Sequence, residues 1–226
     1  MHKPFEELES VIGYSFNNKE LLKDALTHSS YANEIRDHSV RDNERLEFFG
    51  DAIIEFCVSD FLFGKYKDSP EGYLTKTRAA MVCESGLAVC AKSISLGEYI
   101  FMGKGEEHTG GRERPSIISD AFEALVAAIY LDSGVAETDR FIHKYLLESL
   151  KDKELFFDAK TRLQEIVQQN PDNELKYEEL SEEGPVHDRT FVYGAFLNGL
   201  EIGRGSGHSK KEAQQQAALA AIKNRE

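Results

Sequence analysis

The hydrophobic pattern of this chain changes period once, near residue 150. Before that point apolar residues recur every three or four positions. They do so in FEELESVI (5–12), LLKDAL (21–26), NERLEFFGDAIIEFCVSDFLFGKY (43–66), YLTKTRAAMVCESGLAVCAKSI (73–94), IISDAFEALVAAIYL (117–131) and VAETDRFIHKYLLESL (135–150). This is the spacing of amphipathic helices. MGKGEEHTGGRERPS (102–116), rich in glycine and charge, reads as a loop. After residue 158 the rhythm shifts. AKTRLQEIVQQN is amphipathic and stops at Pro171, ELKYEEL alternates like a strand, and TFVYGAFL and LEIGRG flank Asn198-Gly199, a strong hairpin signal. SKKEAQQQAALAAIK closes the chain as a helix with Ser209 as its N-cap. The pattern predicts an all-α domain over residues 1–150, a short charged linker at 151–158, and a small α+β domain of order α-β-β-β-α over 159–226.

One helix carries an anomaly. Gly50 and Asp51 sit in its interior, where glycine costs about 1 kcal/mol relative to alanine. At 100° per residue, Glu44, Glu47 and Asp51 fall within about 60° of one another, opposite Leu46, Phe49, Ile53 and Cys57. Asp120 and Glu123 repeat the arrangement in the 117–131 stretch, with Phe122, Leu125, Val126 and Ile129 on the other side and Ala124 and Ala127 flanking the acids. Most acidic stripes are solvated faces, and Glu44 and Asp120 near helix starts would complement the macrodipole. Glu47 and Asp51, however, have no basic residue at i+4, and their small neighbours leave room for a close approach. Converging carboxylates call for a cation, and a hard oxygen site with room for water suits Mg²⁺ and water activation against a phosphodiester. Phe48 lies on the acidic side of its helix, about 40° from Glu44. A large ring there is either half-covered by a neighbouring helix or an anchor between two copies of the helix in a symmetric dimer.

Composition modifies this picture in three ways. No apolar run approaches a membrane span, since Asp120 and Glu123 interrupt the best one, and MHKPFEELES lacks the apolar core of a signal peptide. Cys57, Cys83 and Cys90 form an odd set without a C-x-x-C pair, which points to reduced thiols in a cytoplasm. The net charge of −13 argues against a nucleic-acid partner until it is divided. Residues 158–226 hold nine basic and twelve acidic side chains, leaving about −10 on the first 157. From Arg204 onward, Arg204, Lys210, Lys211, Lys223 and Arg225 face only Glu212 and Glu226. Lysines beside a helix N-terminus oppose the dipole unless an anion arrives to use both, which makes His208, Lys210 and Lys211 the strongest phosphate-binding feature. Gly103-Lys104-Gly105 lacks the spacing of a phosphate loop.

These residues are specific enough to compare with a family. NERLEFFGDAIIEF resembles the signature stretch of bacterial ribonuclease III. LTHSSYANE (26–34), EGYLTKTRA (71–79) and GKGEEHTGGRERPSIISDAFEALVAAIYLD (103–132) agree with its flanking segments. KTRLQE, GPVH and SKKEA resemble the double-stranded RNA-binding domain that follows in that family. The resemblance implies a nuclease domain and an RNA-binding domain that together cut double-stranded RNA. By it, Glu47, Asp51, Asp120 and Glu123 bind Mg²⁺, with Mn²⁺ as a substitute, and Asp51 and Glu123 are the most critical for cleavage. Glu44 and Glu71 line the cleft, although Ser69-Pro70-Glu71 is also good helix-start chemistry. Phe48 plugs into the partner of a homodimer formed through the nuclease domain. Thr161, Gln164 and Glu165 contact the minor groove, as does His187 in the GPVH turn, while His208, Lys210 and Lys211 contact phosphates. Expected products carry 5′-phosphates and short 3′ overhangs, with roles in ribosomal and messenger RNA processing. Departures are small: Phe49 for leucine, Ala127 for glycine and Gln214 for glutamate. A binder that does not cleave would have lost a carboxylate, and none is missing.

Overall fold

The computed structural model describes residues 3–35, 40–148, 159–184 and 189–224, with the backbone alone at 161, 162 and 165. The expected linker and His187 lie outside the described residues, as do the side chains of Thr161 and Glu165. Packing divides the chain into two units, Met1–Ser149 and Leu150–Glu226.

The first unit is helical. Its elements are α1 (Phe5–Ile12), α2 (Lys19–Ala25), α3 (Ser29–Ile35), α4 (Glu44–Lys65), α5 (Glu71–Met81), α6 (Glu84–Ser93), α7 (Lys104–His108), α8 (Pro115–Ser133) and α9 (Val135–Ile142). A wider turn over His143–Leu147 continues α9. α8 is the hub. Phe122, Leu125, Val126 and Ile129 are fully buried, and so are Ala124 and Ala127 on the other side. A helix buried nearly all round belongs at the centre of a bundle, and each large side chain there contributes about 1.5–3 kcal/mol. α4 is its principal neighbour, through Ile53, Ile54, Cys57, Val58 and Leu62. The end of α8 is tied back to the connection between α1 and α2. Asp132 accepts from the Tyr14 hydroxyl and from the backbone N–H groups of Asn17 and Asn18, both at 2.8 Å.

The helical reading needs four corrections. The 73–94 stretch is two helices, because Cys83 is extended (φ −68°, ψ 154°) and restarts the chain as the N-cap of α6. The 102–116 loop contains α7 and a 3-10 turn at Gly111–Glu113. α3 carries no periodic signal, since its short polar run SSYANEI has no fully buried residue. Asp120 is not near a helix start, because α8 begins at Pro115, a favoured first helical residue.

The second unit has the expected order: α10 (Ala159–Gln168), β1 (Leu175–Glu183), β2 (Thr190–Leu197), β3 (Leu200–Gly207) and α11 (Lys210–Lys223). The sheet is antiparallel in the order β1-β2-β3. Asn198 and Gly199 both have positive φ (50° and 83°), as a two-residue hairpin turn requires. α10 and α11 pack on the sheet through Leu163, Val167, Tyr193, Ala195, Ala213, Ala217, Ala218, Ala221 and Ile222. The alanines permit a close approach. A Cβ on Gly203 would stand 2.4 Å from the Ala217 carbonyl oxygen, and one on Gly205 would stand 2.2 Å from the Ala217 nitrogen.

Candidate metal centre and nucleic-acid interface

α4 and α8 lie side by side with their acids on one edge of the contact. The approach is set by Gly50, where an added Cβ would stand 1.9 Å from the Glu123 carbonyl oxygen. Nothing larger than hydrogen fits, so the helices touch backbone to backbone beside Glu47, Asp51 and Glu123. This accounts for the glycine that helix propensity disfavours. Asn43, buried just before α4, anchors the start of that helix: its N–H donates to the Thr27 carbonyl at 2.9 Å, and its carbonyl accepts from Glu47 N at 2.8 Å.

Among the described residues, Glu47, Asp120 and Glu123 form a group whose oxygens all lie within 4.8 Å of one another. Each is half-buried. Burial, then the charges of Asp51, Asp120 and Glu47, push the Glu123 carboxyl up to about 8. Glu47 is raised by burial and then by Asp120, Glu44 and Asp51. Burial also raises Asp120, against a hydrogen bond from Ser119 and the nearby His28. Three carboxyls held together against their own charge, with no described cation paired to them, form a donor set suited to a hard divalent ion.

Asp51 is exposed and stands outside this trio, although its charge reaches both Glu47 and Glu123. Glu44 is likewise exposed and acts on Glu47 through its charge. Glu71 is the first residue of α5, whose N-cap is Pro70 with no side-chain cap from Ser69; its carboxylate accepts from Thr75 Oγ1 at 2.6 Å, and it is not one of the converging three.

Phe48 is 80% exposed on α4. The structure extends it to a stripe, with Ala52, Phe56 and Phe63 also exposed on the same helix. Positions 48, 52 and 56 are spaced four apart, a signal that following the same face onward would have found. Beside it is an apolar cleft of about 350 Å³ lined by Phe49, Ile53, Phe56, Tyr130, Val135 and Thr138, among others.

In the second unit, Gln164 is partly exposed on α10, at the edge of the face that buries Leu163 and Val167. Ser209 caps α11 by accepting from Glu212 N at 3.2 Å, and Glu212 reaches back to accept from His208 N at 2.9 Å. Lys210 and Lys211 are exposed at that helix start. Lys210 Nζ already lies 2.8 Å from Glu179 Oε2, a partner the sequence did not suggest. Arg204 is held by both oxygens of Glu201, at 2.9 and 3.0 Å.

Comparison with known proteins agrees with this arrangement. A family model described as Ribonuclease-III-like matches residues 18–150, and one described as double-stranded RNA binding motif matches 159–225. The chain is 47% identical over 221 residues to Ribonuclease 3 of Listeria monocytogenes, with 96% of each chain covered. It is 49% identical over 219 residues to Ribonuclease 3 of Clostridium perfringens, covering 96% of this chain and 92% of that one. The solved nuclease domain of ribonuclease III from Campylobacter jejuni superposes with a TM-score of 0.60 at 41% identity, covering 65% of this chain and 96% of its own. A second structure of that domain, described for flexibility in a region involved in dimer formation, gives a TM-score of 0.58 at 43% identity, covering 63% and 98%. The helical unit with its acidic trio and the α-β-β-β-α unit thus fall, in order, on two matched models and on relatives of nearly equal length, and the chain belongs to the ribonuclease III family.

Proposed function

We propose that this ribonuclease III family member, a double-stranded RNA endonuclease, hydrolyses phosphodiesters with Mg²⁺ held by Glu47, Asp120 and Glu123, and with Asp51 acting at the same centre. Mn²⁺ would serve in its place. The convergence of three carboxylate oxygens within 4.8 Å carries this reading. Such an ion supplies a Lewis acid and an acidified water, both of which phosphodiester hydrolysis needs. The chain's own groups do the rest. Glu123, whose carboxyl is pushed up to about 8 without a cation, would have to give up its proton to hold the ion, so affinity for the ion would rise with pH through that range. Asp51, exposed beside the trio, would join Glu47, Asp120 and Glu123 in holding the ion. Attack at phosphorus breaks the bond to the 3′ oxygen and leaves a 5′-phosphate and a 3′-hydroxyl. Glu44 and Glu71 flank the cleft and orient RNA.

We assign residues 1–150 to the nuclease domain, 151–158 to the linker and 159–226 to the RNA-binding domain. The latter reads duplex shape, with Thr161, Gln164, Glu165 and His187 directed at minor-groove hydroxyls and His208, Lys210 and Lys211 at phosphates. Two nuclease domains pair through the α4 stripe, each inserting Phe48 into the partner's cleft beside Phe56 and Tyr130. A twofold axis makes that contact self-complementary and gives two centres, one per strand. Staggered cuts then leave short 3′ overhangs, suited to ribosomal and messenger RNA processing in the cytoplasm. No helix among the described residues is long and apolar enough to cross a membrane.

The test is cleavage of a defined RNA duplex with Mg²⁺, with Ca²⁺, and by Asp51→Ala and Glu123→Ala. Each variant should lose at least about 100-fold in rate with Mg²⁺, the scale on which removal of electrostatic stabilisation at a reacting centre acts. Undiminished cleavage by either would sink its assignment.

A further inference from the structure

The ion pair on Lys210 has a consequence for RNA binding. Glu179 and Tyr193 are register partners on β1 and β2. The register shifts immediately afterwards, between Glu179 and Ser181. Phe191 and Tyr193, two apart on β2, present their side chains on one face of the sheet. The Tyr193 hydroxyl donates to Glu179 Oε2 at 2.8 Å, and Lys210 Nζ donates to the same oxygen at 2.8 Å. Lys210 Nζ also lies 5.6 Å from the centre of the Phe191 ring. The ammonium is therefore held between a carboxylate and an aromatic face before any RNA arrives.

We propose that Glu179 stands in for an RNA phosphate on Lys210, and thereby sets both the strength and the salt range of duplex binding by this domain. The inference rests on the reading that Lys210 contacts phosphate. A carboxylate oxygen and a non-bridging phosphate oxygen are equivalent acceptors for an ammonium. When phosphate binds, Lys210 either leaves Glu179 or bridges both, and in each case one cation is shared between two anions. Tyr193 keeps Glu179 in place, so the competing charge does not swing away. Fewer counterions are displaced than an unpaired lysine would release, which flattens the salt dependence. Arg204, gripped by Glu201, is restrained in the same sense. The acidic residues of this domain thus oppose duplex binding at named cations, as well as lowering its net charge.

The test uses the full chain without divalent metal, so that binding is measured without cleavage. The probe is a blunt RNA duplex of about 20 base pairs, longer than the ~16 that such a domain spans, titrated from about 50 to about 200 mM salt. Glu179→Gln keeps an acceptor for Tyr193 and removes the charge. It should bind roughly two- to five-fold tighter, the scale of an exposed ion pair, with a log–log salt slope steeper by up to about one unit. Lys210→Ala should bind more weakly with a flatter slope, and adding Glu179→Gln to it should change nothing further. If Glu179→Gln unfolds, as circular dichroism would show, Glu179→Asp, which withdraws the carboxylate by one methylene, must give a smaller gain of the same sign. Lys210→Ala binding like wild type would overturn the phosphate reading and the inference together. A weakened Lys210→Ala beside an unimproved Glu179→Gln would overturn the inference alone. So would an equal gain from Glu179→Gln with and without Lys210, since the charge would then act generally rather than through that lysine.

Discussion

At the scale of single residues, the acidic trio ties stability to pH in a direction opposite to most carboxylates. A carboxyl whose folded pKa lies above its unfolded value contributes stability that is fully present below the unfolded value and is lost as pH rises through the folded one. For Glu123 that window runs from the ordinary 4.5 to about 8. Glu47 and Asp120, both raised, act with the same sign. The carboxyls held down by ion-paired neighbours change protonation below this window: Glu107 by Arg112, Glu179 by Lys210 and Glu201 by Arg204. The metal-free protein should therefore melt at progressively lower temperature from pH 5 to pH 8 by scanning calorimetry. Glu123→Gln should flatten that trend, and added Mg²⁺ should raise Tm more at pH 8 than at pH 5. A Tm that rises with pH across this range in metal-free protein would contradict the cause assigned to the shift. The grouping of acids on two helix faces was legible from spacing alone. The exclusion of Asp51 from the converging trio was not, because face angle on one helix does not report distance to another.

The contact of two elements, α4 and α8, decides what Gly50 does. Its Cβ position is occupied by the Glu123 carbonyl, 1.9 Å away, and backbone has no rotamer with which to yield. Gly50→Ala gains about 1 kcal/mol of helix propensity, but it must push the helices apart, and overpacking typically costs about 1–3 kcal/mol or more. We expect net destabilisation by urea denaturation together with weaker Mg²⁺ binding, because separation also spreads Glu47 from Glu123. An alanine variant at least as stable as wild type would show that the helices can part freely. Element types followed from the spacing of apolar residues wherever the run was long, as in α4 and α8. They failed where short pieces turn for local reasons. Cys83 adopts extended backbone inside an apolar run, and α7 forms inside a glycine-rich stretch. Neither carries a periodic signal.

At the scale of the whole molecule, the exposed apolar stripe is the feature that a monomer leaves unsatisfied. Phe48, Phe56 and Phe63 are 80%, 64% and 76% exposed on one helix beside an apolar cleft. Sedimentation of Phe48→Ala should show a dimer weakened by about 30-fold or more in dissociation constant, as truncating a buried aromatic anchor costs about 2 kcal/mol or more. Its cleavage should fall at low protein concentration and recover at high concentration. A wild-type chain that sediments as a monomer would remove the basis for this reading.

The sequence by itself determined the two-part organisation, the order of nearly all elements and the residue types on each face. Those properties depend on the period of burial and on turn chemistry, which are local. The tertiary structure decided which of the marked residues meet. It brought Glu47, Asp120 and Glu123 together and left Asp51 at their edge. It filled the Cβ position of Gly50 with the backbone of another helix, and it set Glu179 on a lysine 31 positions further along the chain. Each of these is a distance between elements remote in sequence, and only packing specifies such distances.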